Sequence, residues 1–276
     1  MSKPPASPQT AHDALQGWWR MAGVDVPPPD NSGNARKTAT RVRRRADPPQ
    51  PHRQPQDDPP KAVSPALADR IQAARQAAAG AKTLDELKTA LEHFDAGPVK
   101  RQARHTVFAR GNPKAPVMII GEAPGREEDE QGKPFVGPSG CLLDKALRAA
   151  GLGPDDVYIT NAFYWRPPKN RKPTADELAE TLPFLERQIA LQHPKIIILA
   201  GATPMQAVLG LHGGITRARG HWHDYVVKNP DGSPGKTIIP ALPTFHPAFL
   251  LRAPLAKRDV WHDLLSVREK LVQLQA

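Results

Sequence analysis

Residues 115–125 read APVMIIGEAPG: an apolar run rich in β-branched residues, closed by the first glycine of a Gly-Glu-Ala-Pro-Gly turn. The run is too short for a helix and has no polar alternation, as expected of a strand buried on both faces. Three more runs of this kind follow, DVYIT (156–160), KIIILAG (195–201) and TIIPALP (237–243). Amphipathic helical patterns separate and close them: SGCLLDKALRAAG (139–151), TADELAETLPFLERQIALQ (174–192), TPMQAVLG (203–210, with Pro204 in its first turn) and KRDVWHDLLSVREKLVQL (257–274). Buried strands alternating with helices predict an α/β fold, a three-layer α/β/α sandwich around a central four-stranded parallel sheet. Two helices lead into it: residues 64–80, alanine-rich and ending at Gly80, and 84–94, opened by a Thr83/Glu86 capping pattern.

Outward from this core the composition changes. Residues 1–62 hold proline clusters (Pro27-Pro28-Pro29, Pro48-Pro49, Pro59-Pro60) and few aliphatic side chains, so a disordered, proline-rich basic tail is expected there. The domain division is therefore tail 1–62 and folded domain 63–276, the latter split into a helical lead-in, 64–93, and a core, 94–274. Ten Lys and Arg against six Asp and Glu give the tail +4 of the chain's formal +10. Within it, RVRRR (41–45) can hold phosphates or act as a solvated linker, and DALQGWWRMAGV (13–24) can form a short helix that docks on the body or on a protein partner. A basic chain of 276 residues favours a polyanionic partner, DNA foremost. No apolar run is long enough to span a bilayer, the opening residues lack a signal-peptide apolar region, and Cys141 is the only cysteine. These features predict a cytoplasmic, nucleoid-associated monomer without disulfides and without a membrane partner.

In an open parallel sheet, ligands bind beyond the carboxyl ends of the strands. Those ends carry GEAPGREEDEQGKPFVGPSG (121–140), Asn161 with its following loop YWRPPKNR (164–171), GATP (201–204) and PTFHPAFLLR (243–252). The crevice thus collects acids (Glu122, Glu128, Asp129), a carboxamide (Asn161), an imidazole (His246) and an aromatic ring (Phe135). No Walker-type Gly-Lys-Ser/Thr and no G-x-G-x-x-G after the first strand is present, which speaks against nucleotide hydrolysis and hydride transfer. Among the histidines, the His221-Trp222-His223 spacing lacks a third ligand, so no metal site is expected.

Three of these segments, GEAPGREEDEQGKPFVGPSG, YITNAFYWRPPKNRKPT and HPAFLL, resemble the family 4 uracil-DNA glycosylases of bacteria and archaea, from about Phe94 to the closing helix. The resemblance implies hydrolysis of the N-glycosidic bond of deoxyuridine in single- or double-stranded DNA, releasing uracil as a step of base excision repair. It implies Asn161 at the Watson–Crick edge of a flipped-out uracil, Phe135 stacked on the base, and Glu128 as a second acid of the pocket. His246 is expected to donate to uracil O2, and Glu122 to position water or stabilise the cationic sugar. Leu250 is expected to fill the gap left in the duplex, with Arg252, Lys257, Arg166 and Arg171 as DNA contacts.

The chain departs from the family at the iron–sulfur cluster that many members hold with four cysteines. Trp165 stands before Arg166-Pro167-Pro168, Thr181 stands in the following helix, and Gly97 lies near an upstream position; none is a thiol. No four-iron, four-sulfur cluster and no other cofactor is expected, with Trp165 filling the volume by packing. The alternatives are a glycosylase for another deaminated base, such as hypoxanthine or xanthine, and a catalytically weak DNA-binding or uracil-sensing paralogue. Covalent trapping of DNA, known in another branch through a histidine after the second strand, is not expected, because RPPKNRKPT holds no histidine.

Overall fold

The computed structural model describes residues 64–274. The proline-rich tail, with RVRRR and the Trp18-Trp19 segment, lies outside the described residues. The chain opens with α1 (Pro65–Ala79), α2 (Leu84–His93) and α3 (Pro98–Gln102), then runs β1 (Arg110–Gly111), β2 (Val117–Gly121), α4 (Arg126–Gln131), α5 (Pro138–Ala149), β3 (Val157–Asn161), α6 (Ala175–Gln192), β4 (Ile196–Ala200), α7 (Ala202–Leu209), α8 (Ile215–Ala218), β5 (His223–Lys228), β6 (Pro234–Thr244), α9 (Pro247–Arg252) and α10 (Lys257–Gln273).

The sheet order is β1-β3-β2-β4-β6-β5. The four central strands are parallel, as the sequence predicts, and every residue of β2, β3 and β4 is buried. Two antiparallel edge strands, β1 on β3 and β5 on β6, extend this sheet to six and were not anticipated. Side chains alternate strictly between the faces. Val117, Ile119, Val157, Ile159, Ile196 and Ile198 pack with residues of α5, α9 and α10, while Met118, Ile120, Tyr158, Ile197 and Leu199 pack with α6 and α7. Helix α6 starts as its sequence prescribes: Thr174 Oγ1 accepts the Glu177 N–H (3.2 Å) and the Glu177 carboxylate accepts the Thr174 N–H (2.7 Å).

The lead-in helices build a third apolar cluster against the far side of α6. Its centre is three consecutive aromatics that follow Asn161: Phe163, Tyr164 and Trp165, with Leu87, Leu91, Val99 and Phe184 around them. Trp165 is 1% exposed. Its ring meets Phe163 edge-on at 5.7 Å, its Nε1 donates to Thr106 Oγ1 (3.0 Å), and the Lys100 ammonium lies 5.6 Å from its centroid. That ammonium also donates to the carbonyls of Glu92 and Phe94 (2.5 Å each), closing the end of α2, and desolvation lowers its pKa. A buried arginine-paired carboxylate ties the layers: Arg70 grips Glu180 with two hydrogen bonds (3.1 and 2.5 Å).

Trp165→Ala empties the middle of this cluster, and a loss of about 3–5 kcal/mol is expected from removing a buried aromatic. Urea unfolding of the two proteins checks it: a lower midpoint with an unchanged slope is the expected result.

Candidate active site

The register of the central strands brings their carboxyl ends level. Gly121 pairs with Asn161 across β2 and β3, and Ala200 pairs with Thr244 across β4 and β6. Above this row lies a cleft of about 220 Å³ whose lining includes Glu128, Phe135, Asn161 and His246. The last residue of β3, Asn161, is 2% exposed, and among the described residues its carboxamide takes no hydrogen-bond partner. The side chain thus presents an acceptor and two N–H donors to the cleft it lines.

Gly121 makes this arrangement possible. A Cβ there would overlap both Asn161 Oδ1 and the Phe135 ring, so the carboxamide and the aromatic meet over the end of β2 only because that position has no side chain. Phe135 itself adopts φ 54°, a left-handed conformation unusual for an aromatic residue. Its backbone is held from two sides. Gly140 of α5 passes so close that a Cβ would overlap the Phe135 carbonyl. Arg110, in the edge strand β1, donates to Pro134 O (2.8 Å) and Phe135 O (3.2 Å) while paired with Asp144 (2.6 Å). The ring then lies beside the imidazole of His246, 5.6 Å between centroids and 29° between planes.

His246 caps α9. Its Nδ1 accepts the Ala248 N–H (3.2 Å), which assigns the neutral ring's proton to Nε2. Burial lowers its pKa below the usual 6.5; Glu122 and Glu128 oppose that shift and Arg252 adds to it. At neutral pH the group is therefore an uncharged imidazole with a donor at Nε2. The strand end beneath it is anchored by a buried network: Thr244 Oγ1 donates to Asp263 Oδ2 (2.6 Å), Asp263 is paired with Arg219, and Arg219 stacks on Phe245 at 5.6 Å.

The two acids do different work. Glu128 is buried, and its carboxylate accepts the backbone N–H groups of Gly125 (3.0 Å), Val136 (3.0 Å) and Gly137 (2.9 Å), folding the loop that carries Phe135. Glu122 has one oxygen, Oε2, bonded to Thr203 Oγ1 (2.5 Å), and among the described residues Oε1 takes no hydrogen bond.

Of the residues expected at the DNA surface, two are placed otherwise. Leu250 is 1% exposed and packs in the core between α5 and the sheet; its neighbours Leu251 and Phe249 face outward. Lys257 is 6% exposed at the start of α10, where desolvation lowers its pKa. Arg252 is exposed. Arg171 is exposed and held by Glu177 (2.8 and 2.6 Å), and Arg166 donates to Asn170 (2.7 Å), a cleft-lining residue. Gly121, Thr203, Arg110 and Asp263 were missed. Thr203 stands in the GATP turn at a strand end, a signal that was readable; the other contacts are long-range and carry no local pattern.

Residues 108–265 match the Uracil DNA glycosylase superfamily. The chain belongs to this superfamily, and within it the chain is family 4-like. It is 36% identical over 181 residues to a type-4 uracil-DNA glycosylase of Pyrobaculum aerophilum, covering 66% of this chain and 91% of that one. Type-4 uracil-DNA glycosylases of Sulfurisphaera tokodaii (39% over 170 residues, 60% of this chain and 74% of that one) and Thermotoga maritima (40% over 156 residues, 56% and 76%) are similar to it as well.

Two outcomes follow from this geometry. Gly121→Ala forces Asn161 and Phe135 apart, and a destabilisation of about 1–3 kcal/mol is expected from overpacking, read by thermal unfolding. The lowered pKa of His246 makes the fold sensitive to acid. As pH falls through 6.5 the unfolded chain takes up this proton before the folded one does, so the stability present above pH 6.5 declines below it. Urea midpoints at pH 7.5 and 5.5 are expected to differ less in His246→Gln than in the wild type.

Proposed function

We propose that this DNA glycosylase hydrolyses the N-glycosidic bond of deoxyuridine in DNA, releasing uracil and leaving an abasic site for base excision repair. The observation that carries the reading is the convergence of Asn161, Phe135 and His246 on one cleft at the carboxyl edge of the sheet. Uracil presents N3–H as a donor and O4 as an acceptor. A carboxamide complements that pair with Oδ1 and Nδ2, whereas cytosine reverses both and leaves buried polar groups unpaired. A flipped base reaches such a pocket by leaving the stack, and Phe135 offers it a flat apolar neighbour. When the C1′–N1 bond breaks, its electron pair passes to the uracil ring and charge grows on O2. The Nε2–H of His246 is the donor available for it, and being neutral beforehand it costs the pocket no buried charge. Water adds to C1′ of the cationic sugar and gives up a proton. The open oxygen of Glu122 is the base we assign to that step.

The residues at the cluster positions of the family do not fit an iron–sulfur cluster. Trp165 offers an indole that packs among aromatics and donates to Thr106. The Thr181 hydroxyl donates to Glu177 O (3.1 Å), Gly97 has no side chain, and the one thiol of the chain, Cys141, is exposed at the start of α5. We therefore propose that catalysis proceeds without the cluster.

The test is uracil release from single-stranded and duplex oligonucleotides, read as strand cleavage after alkali, with iron measured in the same preparation. Asn161→Ala and His246→Ala are each expected to slow release by about 10²–10³-fold, the cost of removing one preorganised donor. Asn161→Asp is expected to admit cytosine. Intact protein that leaves uracil untouched while releasing hypoxanthine would reassign the substrate, and release of neither base would favour a binding protein.

A further inference from the structure

We infer that Thr203 is a positioning residue for Glu122, an inference that rests on the glycosylase reading above. Glu122 follows β2 directly and stands on a turn, so its backbone alone does not fix the carboxylate. Thr203, in the first turn of α7, is buried and donates from Oγ1 to Glu122 Oε2 at 2.5 Å. A threonine inside a helix ordinarily turns its hydroxyl back to the carbonyl of the preceding turn. Here the hydroxyl reaches sideways, to a carboxylate 81 residues earlier in the chain.

The platform beneath Thr203 is rigid. Gly201, immediately before α7, has φ +114°, a conformation L side chains rarely adopt, and its N–H donates to Thr244 O (2.9 Å). A Cβ on Gly201 would lie 3.4 Å from His246 Cβ, so the same turn that presents Thr203 also abuts the imidazole. One short loop therefore sets the spacing between the acid and the histidine. Its bond to Oε2 leaves Glu122 one-sided, with a single oxygen for water or the sugar cation. A carboxylate without that bond turns about its last torsion and divides its time between two orientations. Positional errors of this kind cost rate more than affinity.

The experiment uses the full chain, with Thr203→Val, Thr203→Ser and Glu122→Gln alone and Thr203→Val combined with Glu122→Gln. Single-turnover uracil release at saturating enzyme is read beside anisotropy binding to uracil-containing DNA. The Val variant is expected to release uracil about 10- to 100-fold more slowly with DNA affinity unchanged, and the Ser variant is expected to restore the rate. In the Glu122→Gln background the Val substitution is expected to add nothing, because its effect passes through that carboxylate. A wild-type rate in Thr203→Val, or an equal further loss in the double variant, would overturn the assignment. A crystal structure of Thr203→Val decides the point independently of turnover: Glu122 swung from its place supports the role, and Glu122 unmoved refutes it. If the wild type releases no uracil, the proposed function fails on that result alone, while the crystal structure still judges the Thr203 contact.

Discussion

The site depends on a side chain that is absent. Four parallel strands in register end level, so their last residues form one row, and Gly121 occupies its middle beside Asn161. A side chain there would fill the space into which the Asn161 carboxamide and the Phe135 ring both reach. The cost is met by other parts of the molecule. Phe135 sits in a left-handed conformation, and such strain persists only where neighbours over-determine it. Arg110 holds its carbonyl, Gly140 leaves no room for retreat, and the three amides gathered by Glu128 close the loop on the other side. The acid that reads from sequence as a pocket group thus gives its lone pairs to the backbone, and the pocket gains its shape from that.

Charge is arranged by the same economy. A neutral imidazole whose ring were free to turn could present either nitrogen to the cleft. Here Nδ1 is committed to the first turn of α9, so the ring presents one donor in one direction. The anchor below it, Thr244 to Asp263 to Arg219, pairs a buried carboxylate with a half-buried guanidinium, and removing the cation would strand the buried charge. Rigidity at the histidine therefore comes from α10 and from the turn before β5, elements far from the cleft in sequence.

The central sheet was legible because its strands are buried on both faces and read as unbroken apolar runs. The edges were not. β1 is two residues long, β5 is only partly buried and the outer half of β6 is mostly exposed, so the pattern there is mixed. The same limit applies to Leu250 and Leu251: two adjacent leucines on a one-and-a-half-turn helix differ by 100° in direction, and only packing decides which faces the core. Lys257 reads as a surface cation because lysine is rarely buried, and tertiary structure covers it nonetheless. Asn161 and His246 were legible for another reason: each stands at or just beyond a strand end, where topology predicts a ligand, whereas Phe135, past α4, was singled out by its resemblance to a family motif.

The segment that follows β3 carries the same logic one layer further out. The chain leaves Asn161 and passes at once through Phe163, Tyr164 and Trp165, all buried. Packing and hydrogen bonding tie this segment to α2, α3 and α6. In this chain with one cysteine, the ties are an indole hydrogen bond to Thr106, an ammonium over the indole face, and packing against Leu91, Val99 and Phe184. These contacts are individually weak but close-packed, and a close-packed interior transmits strain. Asn161 closes β3, and the packed residues 163–165 continue directly from it, so apolar volume in that cluster bears on where the strand end stands.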